Sequence, residues 1–314
     1  MNKLSIIIAV YNVEDYLEKC LNSVIMEKNN NIEIIIVDDG SMDNSLQICK
    51  YYEKKDSRIK IVHQENGRLS KVRNIGFINS TGDYIWHIDG DDYLEKNYYK
   101  KIEPYLGKED IICFNYYDVY DNYKVKNKFI EIDGLKEKYI LNNCCVWNKI
   151  IKRELLEKDY FPEKCSYNDI FLIPTLVDKT NKIVFIDDCI YNYVCRSNSI
   201  SNTRNVNIDD LLFCLSNNRK KLYKKYPSEV DCLYINNLII SFIIKKYIKR
   251  QKVNLKYINN VLKQIVPKYY NNKYWNNTLS RKIYIRFIYY NVFFIVKLMV
   301  ITKIKIYNKK KIRI

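Results

Sequence analysis

The sequence predicts an α/β fold: a mainly parallel sheet with helices on both faces, followed by a helical C-terminal region. Three observations carry this. Apolar, β-prone runs alternate with helical patterns four times between residues 4 and 89, the pattern of parallel strands joined by right-handed crossovers. Two of those runs stop abruptly in carboxylates, Asp38-Asp39 and Asp89-Gly90-Asp91-Asp92. Beyond residue 205 the strand pattern ends and the chain turns basic.

The elements follow in order. Leu4 to Val10 is a nearly unbroken apolar run, as expected of a strand covered on both faces; it reads as a first strand rather than a secretory leader. Residues 13–26 place Tyr16, Leu17, Cys20, Leu21, Val24 and Ile25 at helical spacing. Ile32 to Val37 is a second buried strand. Asp43 is the expected N-cap of a helix carrying Leu46, Ile48, Cys49 and Tyr52. Ile59 to His63 is a shorter strand, nearer an edge. Asn66-Gly67 turns the chain into a helix over 69–79 that carries Lys71 and Arg73, and Thr81-Gly82-Asp83 turns it into the fourth strand. Residues 96–106 read as helix, Ile111 to Asn115 as a fifth strand, and the Tyr-rich section after it as edge strands. Asp169 opens an apolar helical pattern. Ile183 to Ile186 and Ile190 to Val194 read as two short strands, and 196–201 as a polar loop. Two regions divide the chain: 1–205 and a basic, mainly helical 206–314.

Charge separates them. The net charge is +17, yet no Asp or Glu follows Asp231, whereas 19 Lys and Arg do. Such a one-sided excess implies an anionic partner. The run 287–301 is apolar but interrupted by Asn291 and Lys297, shorter than a membrane span needs, and flanked by basic residues. It fits a helix lying in an anionic membrane interface, with a core helix or dimer face as the alternative. Nucleic acid is not expected, because the candidate site is acidic. Ten scattered cysteines contain no C-x-x-C; they read as free thiols of a reducing compartment, not as a zinc site or disulfide framework.

Clustered aspartates at strand ends put negative charge at the mouth of a parallel sheet, where open α/β folds bind ligands. Two carboxylates spaced D-x-D suit a hard divalent cation shared with a diphosphate. A solvated acidic turn is the simpler alternative for DGDD alone. Asp169, in a first helical turn, is either a dipole partner or a general base at a cleft rim. Arg196 is either solvated or a phosphate clamp.

The run Ser5-Ile6-Ile7-Ile8-Ala9-Val10-Tyr11-Asn12, then Glu33-Ile34-Ile35-Ile36-Val37-Asp38-Asp39-Gly40-Ser41, Glu65-Asn66-Gly67 with Arg73-Asn74-Ile75-Gly76, and Gly82-Asp83-Tyr84 leading to Asp89-Gly90-Asp91-Asp92 together resemble family 2 glycosyltransferases of GT-A fold, of the bacterial surface-polysaccharide type. The resemblance covers about 1–205. It implies that Ala9 and Tyr11 line a base pocket, Tyr11 stacking on the base and Asp39 hydrogen-bonding it. By the same resemblance Asp89 contacts the ribose or the metal's waters, and Asp91 binds Mg²⁺ or Mn²⁺. Arg73 falls on the nucleotide side. The family's Glu-Asp pair falls at Asn168-Asp169, making Asp169 the expected base while Asn168 departs from the pattern. Trp147 and Lys149 match a recurring Trp-x-Lys and, with Arg196, fall on the acceptor side. The implied activity is inverting transfer from a nucleotide-diphospho-sugar, a UDP-sugar by preference, to a glycan or lipid-linked acceptor at the inner face of the cell membrane. The rivals are a nucleotidyltransferase, disfavoured because Ala9-Val10-Tyr11-Asn12-Val13 is not a Gly-rich basic loop, and a non-catalytic membrane scaffold, favoured only by Asn168.

Overall fold

A computed structural model describes residues 2–127, 129, 134–142, 144–156, 160–163, 165–196, 207–244, 246, 251–275 and 279–299. The chain forms two compact units, Met1–Asn205 and Val206–Ile314.

The first unit opens with the expected alternation. Strands β1 (Leu4–Val10), β2 (Ile32–Asp38), β3 (Ile59–His63) and β4 (Tyr84–Asp89) are separated by helices α1 (Glu14–Ile25), α2 (Ser45–Lys55) and α3 (Arg68–Ile78). Next come β5 (Tyr93–Leu94), α4 (Tyr98–Ile102), β6 (Ile111–Val119), β7 (Lys124–Lys126), α5 (Leu135–Leu141), β8 (Lys149–Lys152), α6 (Asn168–Lys179) and β9 (Ile183–Val194). The sheet order is β3-β2-β1-β4-β8-β6-β9-β5, with β7 paired to β6. The first four of these strands are mutually parallel, and β8 enters antiparallel between β4 and β6. As a strand nearer an edge should, β3 ends the sheet.

Three expectations are adjusted. The 96–106 helix is only α4 followed by a 3₁₀ turn at Glu103–Tyr105; Asn97 enters it in the left-handed region (φ 59), and Pro104 has no N–H to continue an α-helical ladder. The two short strands after α6 are one strand, β9, whose register against β6 shifts on either side of Asn115; the extra residues form a bulge that bends the strand without ending it. Asn44, not Asp43, is the N-cap of α2. Asp43 stands one residue earlier, accepting from Ser45 N–H (2.9 Å) and from Glu14 N–H (3.1 Å), and so ties α2 to α1.

At the sheet's other end Glu33 fastens β1, β2 and the turn before β4. Ser5 Oγ and the N–H groups of Thr81 and Gly82 donate to Glu33 Oε1, and Lys3 Nζ pairs with Oε2 at 2.7 Å. A Cβ on Gly82 would lie 2.8 Å from the Ser5 backbone nitrogen, so only glycine fits this junction. Burial raises the Glu33 carboxyl, but the Lys3, Ser5 and Thr81 hydrogen bonds outweigh it and hold the group at about 2. A carboxyl depressed on folding contributes stability above its unfolded range and loses it as the pH falls through the folded value. Glu33→Gln should therefore unfold at lower temperature than the parent near neutral pH. Thermal melts should show that gap closing as the pH drops toward about 2.

The second unit contains α7 (Ile208–Leu222), α8 (Pro227–Ile235), a π-helical stretch (Asn236–Ile244), α9 (Leu255–Ile265) and α10 (Leu279–Tyr289). The apolar run 287–301 is not one helix. Asn291 adopts φ 62, and helix resumes only at 293–299. Among the described residues no helix is long and apolar enough to cross a membrane. None of the ten cysteines is in a disulfide.

Candidate active site

Strand register brings the two aspartate clusters together. Ala9, near the end of β1, lies opposite Val37 of β2 on one side and Asp89 of β4 on the other. Asp39 N–H donates to Val10 O and Gly90 N–H to Ala9 O, both at 2.9 Å. The carboxylates of β2 and β4 thus flank β1, about 10 Å apart across two strand spacings. Gly90 is needed for this close approach rather than for a left-handed bend: a Cβ there would meet Ala9 O at 2.9 Å. Ala9 is the one residue of β1 that is not buried, and Tyr11 just beyond it is 39% exposed.

Asp39 is already engaged. Its Oδ1 accepts from Gly67 N–H (2.7 Å) and Gln64 Nε2 (2.5 Å), and its Oδ2 from Arg68 N–H (3.1 Å). It caps the start of α3 from across the sheet edge. Arg68 itself takes φ 74, a strained conformation for an arginine. Asp38 is fully buried and holds His63 Nδ1 at 2.7 Å.

Helix α3 buries a polar face, Ser70, Arg73, Asn74 and Gly76 among Val72. Arg73, expected on the nucleotide side, is 2% exposed. Its Nη1 donates to Asp169 Oδ1 (2.6 Å) and to Asn168 Oδ1 (3.3 Å), and its Nη2 reaches Asp89 Oδ1 at 3.5 Å. One guanidinium therefore joins the end of β4 to the start of α6. Asp169 Oδ2 also accepts Val146 N–H at 3.1 Å, which fixes the carboxylate from two sides. Asn168 is satisfied too, since its Nδ2 donates to Ser70 Oγ at 2.8 Å. A neutral amide suits this buried position because Arg73 already carries two carboxylates.

Within DGDD the three aspartates differ. Burial pushes the Asp89 carboxyl up to about 6; Arg73 pulls it down, and Asp91 and Asp169 push it up. Asp92 is 2% exposed and accepts from Tyr191 Oη and Val194 N–H, both at 2.7 Å; burial and its acidic neighbours raise it well above the usual range. Its role is to tie β9 to the turn. Removing it orphans the buried Tyr191 hydroxyl, at about 1–3 kcal/mol, and the partly buried Val194 N–H. Asp92→Ala should accordingly lower the urea midpoint markedly, while Asp91→Ala, at a partly exposed position, should hardly move it.

Asp91 pairs with Arg196, whose guanidinium also lies 5.0 Å from the Tyr16 ring centre. Arg196, expected on the acceptor side, stands against the proposed metal-site carboxylate here. Residues 197–201 of the expected loop lie outside the described residues. Trp147 and Lys149, expected on the acceptor side, are both buried. Trp147 stacks on Tyr191 (4.7 Å) and Tyr193 (5.4 Å) and accepts Trp86 Nε1 through its carbonyl. Lys149 is 3% exposed, with Nζ on Cys145 O (2.7 Å) and Asn148 Oδ1 (2.8 Å).

Asp89 and Asp91 offer hard oxygen donors with no thiolate or imidazole between them, the chemistry of a Mg²⁺ or Mn²⁺ site. Among the described residues no group of three or more His, Cys, Asp or Glu is arranged to hold a metal. A cation held here would draw its remaining ligands from water or a bound diphosphate.

The family model "Glycosyl transferase family 2" matches residues 5–164, the segment that supplies both aspartate clusters and Arg73. The chain belongs to this family. The family 2 chain is 34% identical over 224 residues to glycosyltransferase GlyA of Streptococcus pneumoniae, a match covering 64% of this chain and 32% of GlyA. It thus spans about a third of that relative's length. The fold is that of S. aureus TarS (TM-score 0.66, 22% identity, 85% of this chain and 49% of that one), a protein also solved with UDP-GlcNAc. It is also that of the mannosyltransferase PcManGT of Pyrobaculum calidifontis, solved with GDP-Man and Mn²⁺ (TM-score 0.57, 14% identity, 90% and 85%). The family 2 chain therefore has the GT-A architecture, with C-terminal helices added.

Two functional features were not found from sequence alone: the Arg73 bridge and the Asp91–Arg196 pair. Arg73 could have been found as a charged residue placed where a crossover helix should present its apolar face. Arg196 stands out in the sequence as a cation opening a polar loop, but its pairing with Asp91 has no local signal.

Proposed function

We propose that this chain is a metal-dependent, inverting glycosyltransferase that moves a sugar from a nucleotide-diphospho-sugar, a UDP-sugar by preference, to a hydroxyl of a glycan or lipid-linked acceptor in surface-polysaccharide synthesis. The observation that supports this reading is the Arg73 bridge, one guanidinium within reach of both Asp169 and Asp89. Donor-side and acceptor-side carboxylates then face one reacting centre.

In this reading Tyr11 stacks on the base above Ala9, with Asp39 at its edge. Asp91 would hold Mg²⁺ or Mn²⁺, and Asp89 would orient the ribose or the cation's waters. When bound, the cation offsets charge on the departing diphosphate as a Lewis acid. Arg196 lies where it can leave Asp91 for the phosphates as the donor arrives. Asp169, oriented by Arg73 and Val146 N–H, takes the proton from the attacking hydroxyl. Attack from the side opposite the diphosphate inverts the anomeric centre. The basic C-terminal unit keeps this cytoplasmic enzyme at the inner face of the cell membrane, close to its acceptor.

The test is nucleotide release from a panel of UDP-, GDP- and dTDP-sugars, with Mn²⁺ and with chelator. Release of UDP that chelator abolishes supports the reading. No release from any donor, with a lipid-linked acceptor supplied, overturns it.

A further inference from the structure

The C-terminal unit has a face that its own core does not account for. Ile285, Ile288 and Val296 are fully buried, so α10 and the 293–299 helix already spend one apolar side inward. They also expose apolar side chains: Leu279 (73%) and Ile283 (39%) on α10, Tyr290 (63%) in the turn after it and Phe294 (70%) on the 293–299 helix. Leu279 and Ile283 stand four apart on α10, which puts them on one face. Bulky apolar groups held in water in this way mark an interaction surface.

Charge identifies the partner. Arg281, Lys282, Arg286 and Lys297 are exposed on the same two helices. No Asp or Glu follows Asp231 in the sequence, which continues through Lys303, Lys305, Lys309, Lys310, Lys311 and Arg313. Among the described residues no helix can cross a bilayer. Apolar side chains that insert shallowly, with a cationic flank over anionic headgroups, suit an element lying on a membrane.

We infer that the exposed apolar side chains Leu279, Ile283, Tyr290 and Phe294, with the basic residues around them, seat the protein on an anionic lipid surface. The inference deepens the membrane placement proposed above and rests on that reading for its purpose. For binding itself it needs only the surface.

The full chain should co-sediment with vesicles of phosphatidylcholine containing about a quarter phosphatidylglycerol, but not with phosphatidylcholine alone. Tyr290→Ser with Phe294→Ser should weaken vesicle binding about tenfold, and Arg286→Gln with Lys297→Gln should weaken it and flatten its salt dependence. All four positions are exposed and outside the cleft residues, so melting temperature and metal-dependent UDP release without vesicles should match the parent. Equal binding to neutral vesicles, no vesicle binding, parent-like binding by both variants, or preference for an oligonucleotide over the vesicles would each overturn the inference. A parent that binds anionic vesicles yet releases nucleotide from no donor leaves the surface standing and removes the glycosyltransferase reading instead.

Discussion

Asp91→Ala is expected to lower sugar transfer about a thousandfold or more at saturating donor and Mn²⁺, because it removes the anchor for the charge that stabilises the leaving diphosphate. The partner lost in the free protein is Arg196, across a partly exposed ion pair, and pairs of that kind contribute little to folding. Activity and stability should therefore separate: a near-parental melt with transfer lost. Calorimetric titration with UDP supplies the second readout. The parent should bind UDP more tightly with Mn²⁺ than with chelator, and the variant should bind it equally in both. Parental activity in Asp91→Ala, or an intact metal effect on UDP, would contradict the assignment.

Asp169→Asn is the second large effect, an expected loss of about 10²–10⁴ in kcat, the usual range for a positioned general base. The amide keeps the size of the carboxylate but has one acceptor oxygen, so it cannot satisfy both Arg73 Nη1 and Val146 N–H as Asp169 does. Some disorder of the cleft rim is expected, and a moderate fall in melting temperature would report it. The decisive comparison is with binding. Titrations with UDP and Mn²⁺ should give the parental affinity, since the proposed nucleotide contacts are made by residues at the ends of β1, β2 and β4 and not by Asp169 of α6. A variant that transfers normally, or that loses UDP in proportion to activity, would assign Asp169 elsewhere.

The first half of the catalytic unit was legible in the sequence because buried parallel strands are written as continuous apolar runs. Leu4 to Val10 and Ile32 to Val37 admit no other easy reading, and each stops where its polar residues begin. The convergence of Asp38-Asp39 with Asp89-Asp91 follows from topology once those strands are parallel and flank β1. Contacts made across the fold were not legible. Arg73 stands on a helix whose inner face is polar, so apolar periodicity carried no information there. Asp92 reads like its neighbours in DGDD, and only the arrival of Tyr191 and Val194 from β9 separates a structural carboxylate from the others. The same holds for Trp147 and Lys149, whose burial comes from β9 and from the segment 145–148. The Asn291 break was half visible: asparagine tolerates left-handed backbone, but a single polar residue in an apolar run does not announce a turn.

The most direct measurement of the central claim is a crystal structure of the chain with UDP and Mn²⁺. The account predicts the base against Tyr11 near Asp39, the ion on Asp91 and both phosphates, Arg196 moved off Asp91, and Asp169 still held by Arg73 across the sugar position. An ion bound away from Asp91, or a nucleotide lodged outside the groove between β2 and β4, would contradict it.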